Sequence, residues 1–143
     1  VGSIKNGISE GFKVGNINAQ RDWGYAPEYV EAMWKMLQLE SPTDLVISTG
    51  ETNSVKSFIN LAFSIAGYDL VWDGKHLDQK GYCSKTNRTL VQIDPYYFRP
   101  NEVDILLGDS SLAKSKIGWN PKVKFKSLVK IMMEYELNNL NGV

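Results

Sequence analysis

The stretch SVKSFINLAFSIAGYDLVW, residues 54–72, contains the most clearly marked elements of the chain. Its first part has apolar residues at helical spacing, namely Val55, Phe58, Ile59, Ala62 and Ala66. Ser54 can cap the N-terminus of this predicted helix, and Gly67 can close its C-terminus. The apolar run at residues 70–72 then predicts a strand. A helix that leads directly into a strand indicates an α/β fold.

Upstream of this stretch, the sequence predicts two further strands and a helix. Residues 12–14 alternate between apolar and polar side chains and run into the turn signal Gly15-Asn16. The pattern of residues 26–40 is helical, with Pro27 in the first turn, where its missing N–H costs little. Residues 45–47 are continuously apolar, which is typical of a strand buried on both faces.

Downstream, a polar segment follows the strand predicted at residues 70–72 and separates it from another predicted strand. Residues 73–88 include two glycines and show no sustained period, so we expect an irregular excursion there. Residues 89–93 alternate and predict a strand. Beyond that strand, Asp109 or Ser110 can cap a short helix that Gly118 ends.

The C-terminal part of the chain predicts one more amphipathic helix. Its apolar positions are Phe125, Leu128, Met132 and Tyr135. The tail after Leu137 is polar, and we expect it to fray. A chain of 143 residues allows one sizeable core and leaves no room for two full domains.

The composition argues against several classes of function. Sixteen Lys and Arg residues balance sixteen Asp and Glu residues, so the chain has no general field for nucleic acid or an anionic membrane. Cys83 is the only cysteine and His76 the only histidine, which excludes an intrachain disulfide and a metal site built from these residue types. The longest charge-free apolar stretch, residues 57–68, is much shorter than a membrane span. No apolar signal segment opens the sequence, so we expect a cytoplasmic protein.

Spacing alone identifies no complete active site. The sequence lacks both a P-loop and a glycine-rich phosphate loop that follows a strand and opens a helix. We therefore assign no catalytic residue. His76 lies in the polar segment near Lys75 and Asp78, and we interpret it as a solvated surface histidine in preference to a catalytic base.

Two of the three arginines lie in segments rich in aromatic and acidic residues. Arg21 is in residues 15–24, and Arg99 is in residues 96–104, with Glu102 three positions later. A planar guanidinium can hold a phosphate or carboxylate through two hydrogen bonds, whereas a lysine offers only a point charge. The two arginines could therefore clamp a diphosphate while Glu102 accepts hydrogen bonds from sugar hydroxyls.

Structural ion pairs are an equally good interpretation of these residues. Arg21 could pair with Asp22 or Asp104, and Arg99 could pair with Glu102. The tryptophans and the tyrosine pair are, taken singly, better explained by packing than as ligand platforms. Spacing alone leaves the clamp and the ion pairs open.

The same segments resemble the GDP-mannose 4,6-dehydratases of the extended short-chain dehydrogenase/reductase superfamily. Residues 15–24 match the family's Gly-Asn-Leu-Asp-Ala-x-Arg-Asp-Trp-Gly run, and residues 96–104 match its Tyr-Arg-Pro-x-Glu-Val-Asp run. Less specific matches lie at residues 28–34, 48–55 and 108–121. Asn18 replaces an aspartate of the family, and Tyr25 replaces a histidine that is common there. The resemblance covers nearly the whole chain.

This resemblance implies an enzyme that uses bound NADP to oxidise GDP-mannose at C4, eliminate water across C5 and C6, and return the hydride to C6. The product, GDP-4-keto-6-deoxymannose, serves the synthesis of fucose-type sugars. By the same resemblance, Arg99 would contact the diphosphate, Glu102 the ribose hydroxyls, and Arg21 a second phosphate or the nucleotide. Val14 would lie where the family's backbone runs beside the nucleotide. The full-length enzyme would be a homo-oligomer.

The family's glycine-rich NADP loop, its Ser/Thr-Glu pair and its Tyr-x-x-x-Lys motif are not found in the sequence. The resemblance therefore implies that residues 1–143 are the C-terminal, substrate-side portion of an extended Rossmann-type enzyme, without the N-terminal NADP-binding half. We expect this portion to hold no NADP and to be inactive alone. We also expect residues 26–48 to pack with the nucleotide-binding lobe, and to self-associate or stay partly disordered without it. The alternative is a non-catalytic domain that binds a nucleotide, a partner chain or nothing.

Overall fold

The computed structural model describes residues 1–99 and 101–139, and these fall into two compact units. Unit 1 consists of residues 1–19, 54–99, 101–104 and 129–139. Unit 2 consists of residues 20–53 and 105–128. Helices and strands are interspersed along the chain, so the predicted α/β class is confirmed.

The element bounds are as follows in chain order. The helices are α1 (Gly2–Lys5), α2 (Ala26–Met36), α3 (Val55–Ile65), α4 (Ser111–Ile117) and α5 (Phe125–Asn139). The strands are β1 (Phe12–Val14), β2 (Gln20–Asp22), β3 (Thr52–Ser54), β4 (Leu70–Asp73), β5 (Lys80–Cys83) and β6 (Thr89–Ile93). A single turn of 3₁₀ helix covers His76–Asp78.

A four-stranded sheet in the order β1-β6-β5-β4 forms the frame of unit 1. Strand β1 runs parallel to β6, with Val14 opposite Ile93, so the carboxyl ends of these two strands lie at the same edge of the sheet. Strand β5 pairs antiparallel with both β6 and β4. The strands predicted at residues 12–14, 70–72 and 89–93 are confirmed.

Helix α3 packs on this sheet and completes the core of unit 1. The Ser54 hydroxyl caps the helix by accepting a hydrogen bond from the Ser57 amide at 3.0 Å, and Gly67 takes a φ of +88° after the last turn. The Phe63 ring is fully buried and stacks on Phe12 with 6.1 Å between ring centroids. The buried members of the core are Ile4, Ile17, Ile59, Phe63, Cys83, Leu90 and Val91.

Unit 2 has a smaller core around the buried indole of Trp119. The other two buried members of this cluster are Ala32 of α2 and Ala113 of α4, and the Tyr29 ring meets the indole edge-on at 5.3 Å between ring centroids. Two of the three buried side chains are single methyl groups, so this cluster removes little apolar area from water. Strand β2 pairs with β3 in a two-stranded sheet.

The expected irregular excursion at residues 73–88 is wrong. This segment contains the 3₁₀ turn and strand β5, which pairs along both of its edges. Its inward-facing positions include Gly81, whose absent side chain leaves room for the Trp72 ring; a Cβ there would lie 3.3 Å from that ring. A glycine at a buried position erases the apolar alternation, which is why the sequence pattern did not indicate a strand.

The strand predicted at residues 45–47 is also wrong. The side chains of Leu45 and Ile47 are half-buried against the Trp119 cluster, whereas Val46 is 55% exposed. Within residues 1–99 and 101–139, this segment pairs with no other strand. The lack of a ladder partner among the described residues explains why this apolar run does not form a strand, and the exposure of Val46 shows that the expected burial on both faces is also wrong.

The helices of unit 2 begin where the sequence predicts. Helix α2 starts at Ala26 but ends at Met36 instead of residue 40, because the amides of Gln38 and Leu39 bond three residues back, that of Gln38 to the Lys35 carbonyl at 3.1 Å. Helix α4 ends at Gly118, whose φ is +67°. Asp109 provides the predicted side-chain bond at its start and accepts from the Ser111 amide at 2.9 Å.

The C-terminal helix α5 confirms the predicted amphipathic helix. It continues to Asn139, two residues past the point where fraying was expected, and residues 140–143 lie outside the described part. Among the described residues, no helix combines the length and the apolar character needed to cross a membrane.

Candidate functional site

The carboxyl ends of the parallel strands β1 and β6 form the edge of the unit 1 sheet at which a ligand site is expected. Ligands of open α/β sheets bind outside the carboxyl ends of parallel strands. Val14, the last residue of β1, is half-buried there, and its carbonyl accepts a hydrogen bond from the Asp94 amide at 2.9 Å. The segment that follows β6 therefore begins directly against the end of β1.

A compact turn follows β6 and leads to Arg99. The Tyr97 amide donates to the Asp94 carbonyl at 3.0 Å, and the Phe98 amide donates to the Pro95 carbonyl at 3.2 Å. One Asp94 carboxylate oxygen accepts from the Tyr96 amide at 2.9 Å, and the other pairs with the Lys13 ammonium at 3.0 Å. The Tyr96 amide and, to a lesser extent, Lys13 hold the pKa of the Asp94 carboxyl below its usual value.

Gly15 brings the segment after β1 into contact with this turn. A Cβ at Gly15 would lie 2.2 Å from the Tyr97 carbonyl oxygen and 2.9 Å from its carbon, which is closer than atoms can approach. Glycine is therefore required for this approach of two backbones. The two segments that carry the family resemblance, residues 15–24 and 96–104, meet at this point.

Arg99 and Glu102 lie at the end of the turn. The Glu102 amide donates to the Arg99 carbonyl at 3.3 Å, so the two residues occupy one short turn. Arg99 is exposed and Glu102 is half-buried. Pro100, between them, lies outside the described residues. Unit 1 thus brings together three of the four predicted site residues: Val14, Arg99 and Glu102.

Arg21, the fourth predicted site residue, belongs to unit 2. It is half-buried on β2, and its guanidinium donates to the Gln20 carbonyl at 2.7 Å. It lines a cavity of about 390 Å³ whose walls include Tyr29, Ser48 and Leu107. Burial, and then the nearby Asp22 and Glu28 carboxylates, raise the pKa of Tyr29.

Asp22, next to Arg21, has a structural role that the sequence analysis missed. One of its carboxylate oxygens accepts from the Thr49 amide at 2.8 Å and the Thr49 hydroxyl at 2.6 Å, and the other accepts from the Gly50 amide at 2.9 Å. The interpretation of Asp22 as only an ion-pair partner of Arg21 was therefore incomplete. The sequence feature that could have indicated these bonds is that Asp22 and the Thr49-Gly50 turn both lie in segments matched to the family.

A cleft of about 680 Å³ on unit 1 was also not foreseen. Its lining includes Glu10, Lys13, Arg88, Gln92 and Tyr97. Residues from β1, β6 and the turn after β6 meet there, and such a meeting depends on strand order, which spacing does not reveal. His76, by contrast, is exposed, as expected of a surface histidine.

Solved structures show which fold the chain shares. The chain superposes on RMD from Pseudomonas aeruginosa complexed with NADPH with a TM-score of 0.72 at 16% identity, covering 96% of this chain and 40% of that one. UDP-glucose 4-epimerase from Thermotoga maritima with UDP-glucose gives a TM-score of 0.68 at 22% identity, covering 97% of this chain and 38% of that one. The chain therefore has the fold of about two fifths of each of these proteins.

The family model described as GDP-mannose 4,6 dehydratase matches residues 1–132, and the chain belongs to this family. GDP-mannose 4,6 dehydratases from Drosophila melanogaster and Homo sapiens are 47% and 45% identical to it over 137 residues. The protein of that name from Dictyostelium discoideum is 47% identical over 142 residues. The resemblance that the sequence analysis identified is confirmed.

The length of the match is as informative as the identity. The chain is aligned over 96% of its length with the Drosophila protein but covers only 35% of that protein, and the corresponding share is 37% for the human protein and 40% for the Dictyostelium protein. The chain thus spans little more than a third of the curated relatives it matches.

Proposed function

We propose that the chain is the substrate-side portion of a GDP-mannose 4,6-dehydratase, an enzyme that converts GDP-mannose to GDP-4-keto-6-deoxymannose with bound NADP. The observation that carries the proposal is the meeting of the two family-specific segments at Gly15 and Tyr97, beside the carboxyl ends of β1 and β6. Nucleotides bind at this kind of sheet edge in α/β folds. The names of the curated relatives specify the sugar nucleotide.

The proposed contacts are those that the family resemblance implies, and the exposure of Arg99 supports the first of them. Arg99 binds the diphosphate, because its exposed guanidinium can form two charge-assisted hydrogen bonds. Glu102, one turn later, accepts hydrogen bonds from the ribose hydroxyls. Val14 lies beside the nucleotide at the end of β1, and Arg21 of unit 2 is a second phosphate or nucleotide contact.

NADP belongs, in this proposal, to a part of the enzyme that the chain does not contain. The sequence has no two glycines separated by one residue, so it cannot provide the Gly-x-Gly-x-x-Gly turn that binds a dinucleotide. When bound, NADP accepts and returns the hydride of the reaction. The role of residues 1–143 is to bind and orient the sugar nucleotide, and the chain alone is inactive.

Residues 26–48 are proposed to dock the nucleotide-binding lobe. Helix α2 and the residue that caps its C-terminus expose a row of large apolar side chains, with Val30 63% exposed, Met33 59%, Trp34 61% and Leu37 81%. Val46 is exposed in the apolar run at residues 45–47, which has no ladder partner among the described residues. Contiguous exposed apolar surface of this kind is typical of an interface.

The first test uses a chimera in which this chain replaces the matched 142 residues of the Dictyostelium relative. Calorimetry should show that the chimera binds GDP more tightly than GMP, because the second phosphate adds charge-assisted bonds. Arg99→Ala should weaken GDP binding about 10- to 100-fold, the loss expected for such bonds. Lys85→Ala, which removes an exposed cation from the turn between β5 and β6, is the matched control and should leave the affinity for GDP unchanged.

The second test uses the chain by itself. Incubated with GDP-mannose and NADP, the chain should form no 4-keto-6-deoxy product, because hydride transfer requires the cofactor to be held against the sugar. Product formed by the purified chain would contradict this part of the proposal. Unchanged GDP affinity in the Arg99→Ala chimera would contradict the assignment of the diphosphate contact.

A further inference from the structure

Asp94 joins the end of β1 to the segment that carries the proposed nucleotide contacts. Its amide donates to the Val14 carbonyl at 2.9 Å, which continues the contact between β1 and β6 by one residue. Its carboxylate reaches the Lys13 ammonium, also on β1, at 3.0 Å. The Asp94 side chain is 20% exposed, whereas that of Lys13 is 61% exposed. The aspartate is thus the more buried partner of this ion pair.

The same residue also organises the turn that follows it. The Tyr96 amide donates to the Asp94 carboxylate at 2.9 Å, and the Tyr97 amide donates to the Asp94 carbonyl at 3.0 Å. A side chain that accepts a hydrogen bond from the amide two residues later stabilises a turn that the backbone alone would leave flexible. Asp94 therefore bonds to both sides of the junction at once.

Gly15 limits where this turn can lie. The Tyr97 carbonyl oxygen would be only 2.2 Å from a Cβ at Gly15, so the turn already touches the backbone after β1. Asp94 holds the turn against β1 from one side, while the contact at Gly15 prevents it from moving closer. Because Arg99 is only two residues beyond Tyr97, the position of this turn determines where the Arg99 side chain starts.

We propose that Asp94 is a positioning residue for the nucleotide: its carboxylate fixes the turn at residues 94–98 on the end of β1 and thereby orients Arg99 and Glu102. This inference rests on the proposed nucleotide contacts of those two residues. Asp94 does not touch the nucleotide. It removes in advance the conformational freedom that Arg99 and Glu102 would otherwise lose on binding.

The variants separate the two bonds of the carboxylate. Asp94→Ala removes both of them, Asp94→Asn keeps an oxygen that can accept from the Tyr96 amide, and Lys13→Ala removes only the ion pair. Each is made in the chimera and compared with Arg99→Ala. Asp73→Ala, at an exposed aspartate that ends β4 of the same sheet, is the matched control.

A positioning residue predicts a pattern that a general loss of stability does not. Asp94→Ala should raise the KM for GDP-mannose about tenfold with kcat unchanged, and should weaken GDP binding more than GMP binding. Asp94→Asn should raise KM about threefold, because the neutral amide is a weaker acceptor and loses the ion pair. Lys13→Ala should change KM no more than about twofold, as expected of an exposed ion pair.

The outcomes distinguish this inference from the proposed function on which it rests. If Arg99→Ala leaves the affinity for GDP unchanged, the proposed contact itself is wrong. If Arg99→Ala weakens binding while a folded Asp94→Ala chimera keeps its KM and its GDP-to-GMP ratio, the positioning role of Asp94 is overturned. Should Asp94→Ala fail to fold, Asp94→Asn decides: an unchanged KM at an unchanged melting temperature overturns the inference.

Discussion

The two units of the chain are stabilised in different ways. Unit 1 has a four-stranded sheet whose ladder bonds connect every strand, and a helix whose buried rings and aliphatic side chains cover that sheet. Unit 2 has a two-stranded sheet and a small cluster of two alanines and a tryptophan. What unit 2 has in addition is a set of side chains that bond to distant backbone groups.

These side-chain bonds connect parts of unit 2 that its two-stranded sheet does not join. The Trp119 indole donates to the Ser48 carbonyl at 2.6 Å, and the Trp23 indole donates to the Asn53 carbonyl at 2.8 Å. Asp22 and Glu28 accept from backbone amides far along the chain, Glu28 from that of Lys122 at 2.8 Å. Unit 2 combines these long-range bonds with a row of exposed apolar side chains at Val30, Met33, Trp34 and Leu37.

The largest effect should come from the core of unit 1. Phe63→Ala empties a fully buried position and removes ring contacts with Phe12 and Tyr68, so we expect a loss of about 3–5 kcal/mol in the free energy of unfolding. Urea denaturation followed by circular dichroism measures this loss. Phe58→Ala, at a half-buried position of the same helix, is the control and should cost clearly less. Equal losses would contradict the central place of Phe63 in this core.

In unit 2, the substitution that we expect to be most destabilising is Asp22→Ala. It leaves the Thr49 amide, the Thr49 hydroxyl and the Gly50 amide without their acceptor, which should cost about 1.5–3 kcal/mol because the acceptor is charged. Hydrogen exchange at Thr49 and Gly50 should accelerate, whereas exchange within α3 should not change. Asp44→Ala, at an exposed aspartate of the same unit, should leave both amides as they were.

Acid should act on both units through carboxyls with lowered pKa values. Hydrogen bonds from Tyr96 in unit 1 and from Ser111 in unit 2 lower the pKa of Asp94 and of Asp109 from the ordinary value of an aspartate. A lowered pKa in the folded state means that these groups stabilise the fold above the ordinary carboxyl pKa, and that this stabilisation is lost as the pH falls through the folded value. The amide shifts of Tyr96 and Ser111 should therefore titrate with midpoints below the ordinary pKa of an aspartate. Midpoints above that value would contradict these hydrogen bonds.

The smallest effect on stability should come from the exposed face of α2. Replacing Met33 and Leu37 by glutamate removes no buried contact, so the free energy of unfolding should change by no more than about 0.5 kcal/mol. We expect the unmodified chain either to self-associate through this face or to exchange the amides of residues 26–48 rapidly.

Sedimentation and hydrogen exchange together distinguish these states. If the chain self-associates, the double substitution should return it to a 16.1 kDa monomer. Met132→Glu, at an exposed methionine of α5, should leave association unchanged. A monomeric unmodified chain whose residues 26–48 exchange as slowly as α3 would show that unit 2 needs no docked partner.

The comparison also explains which parts of the fold could be predicted from the sequence. Helix α3 and strand β6 were predicted because their signals are local: a cap, a helical period and a closing glycine for the helix, and alternating apolar residues for the strand. Strand β5 was missed because Gly81 leaves Cys83 as the only side chain on its buried face, which is too little for an apolar alternation. Residues 45–47 were misassigned because strand formation depends on a ladder partner, and an apolar run contains no information about its neighbour.

The candidate site divides in the same way. The sequence could predict that Val14 ends a strand, because residues 12–14 alternate between apolar and polar side chains. It could also predict that Arg99 and Glu102 share one turn, because they are three positions apart. The anchoring of Asp94 on Lys13 could not, because it depends on the parallel pairing of β1 with β6. The assignment of Arg21 to a different unit from Arg99 is likewise a tertiary property.

The most direct test of the account is whether residues 1–143 can supply the substrate side of a working dehydratase. The chimera with the Dictyostelium relative should convert GDP-mannose to GDP-4-keto-6-deoxymannose in the presence of NADP, as followed by mass spectrometry of the sugar nucleotide. Arg99→Ala in the chimera should raise the KM for GDP-mannose about 10- to 100-fold. A chimera that melts cooperatively and binds NADP but forms no product would contradict the proposed function.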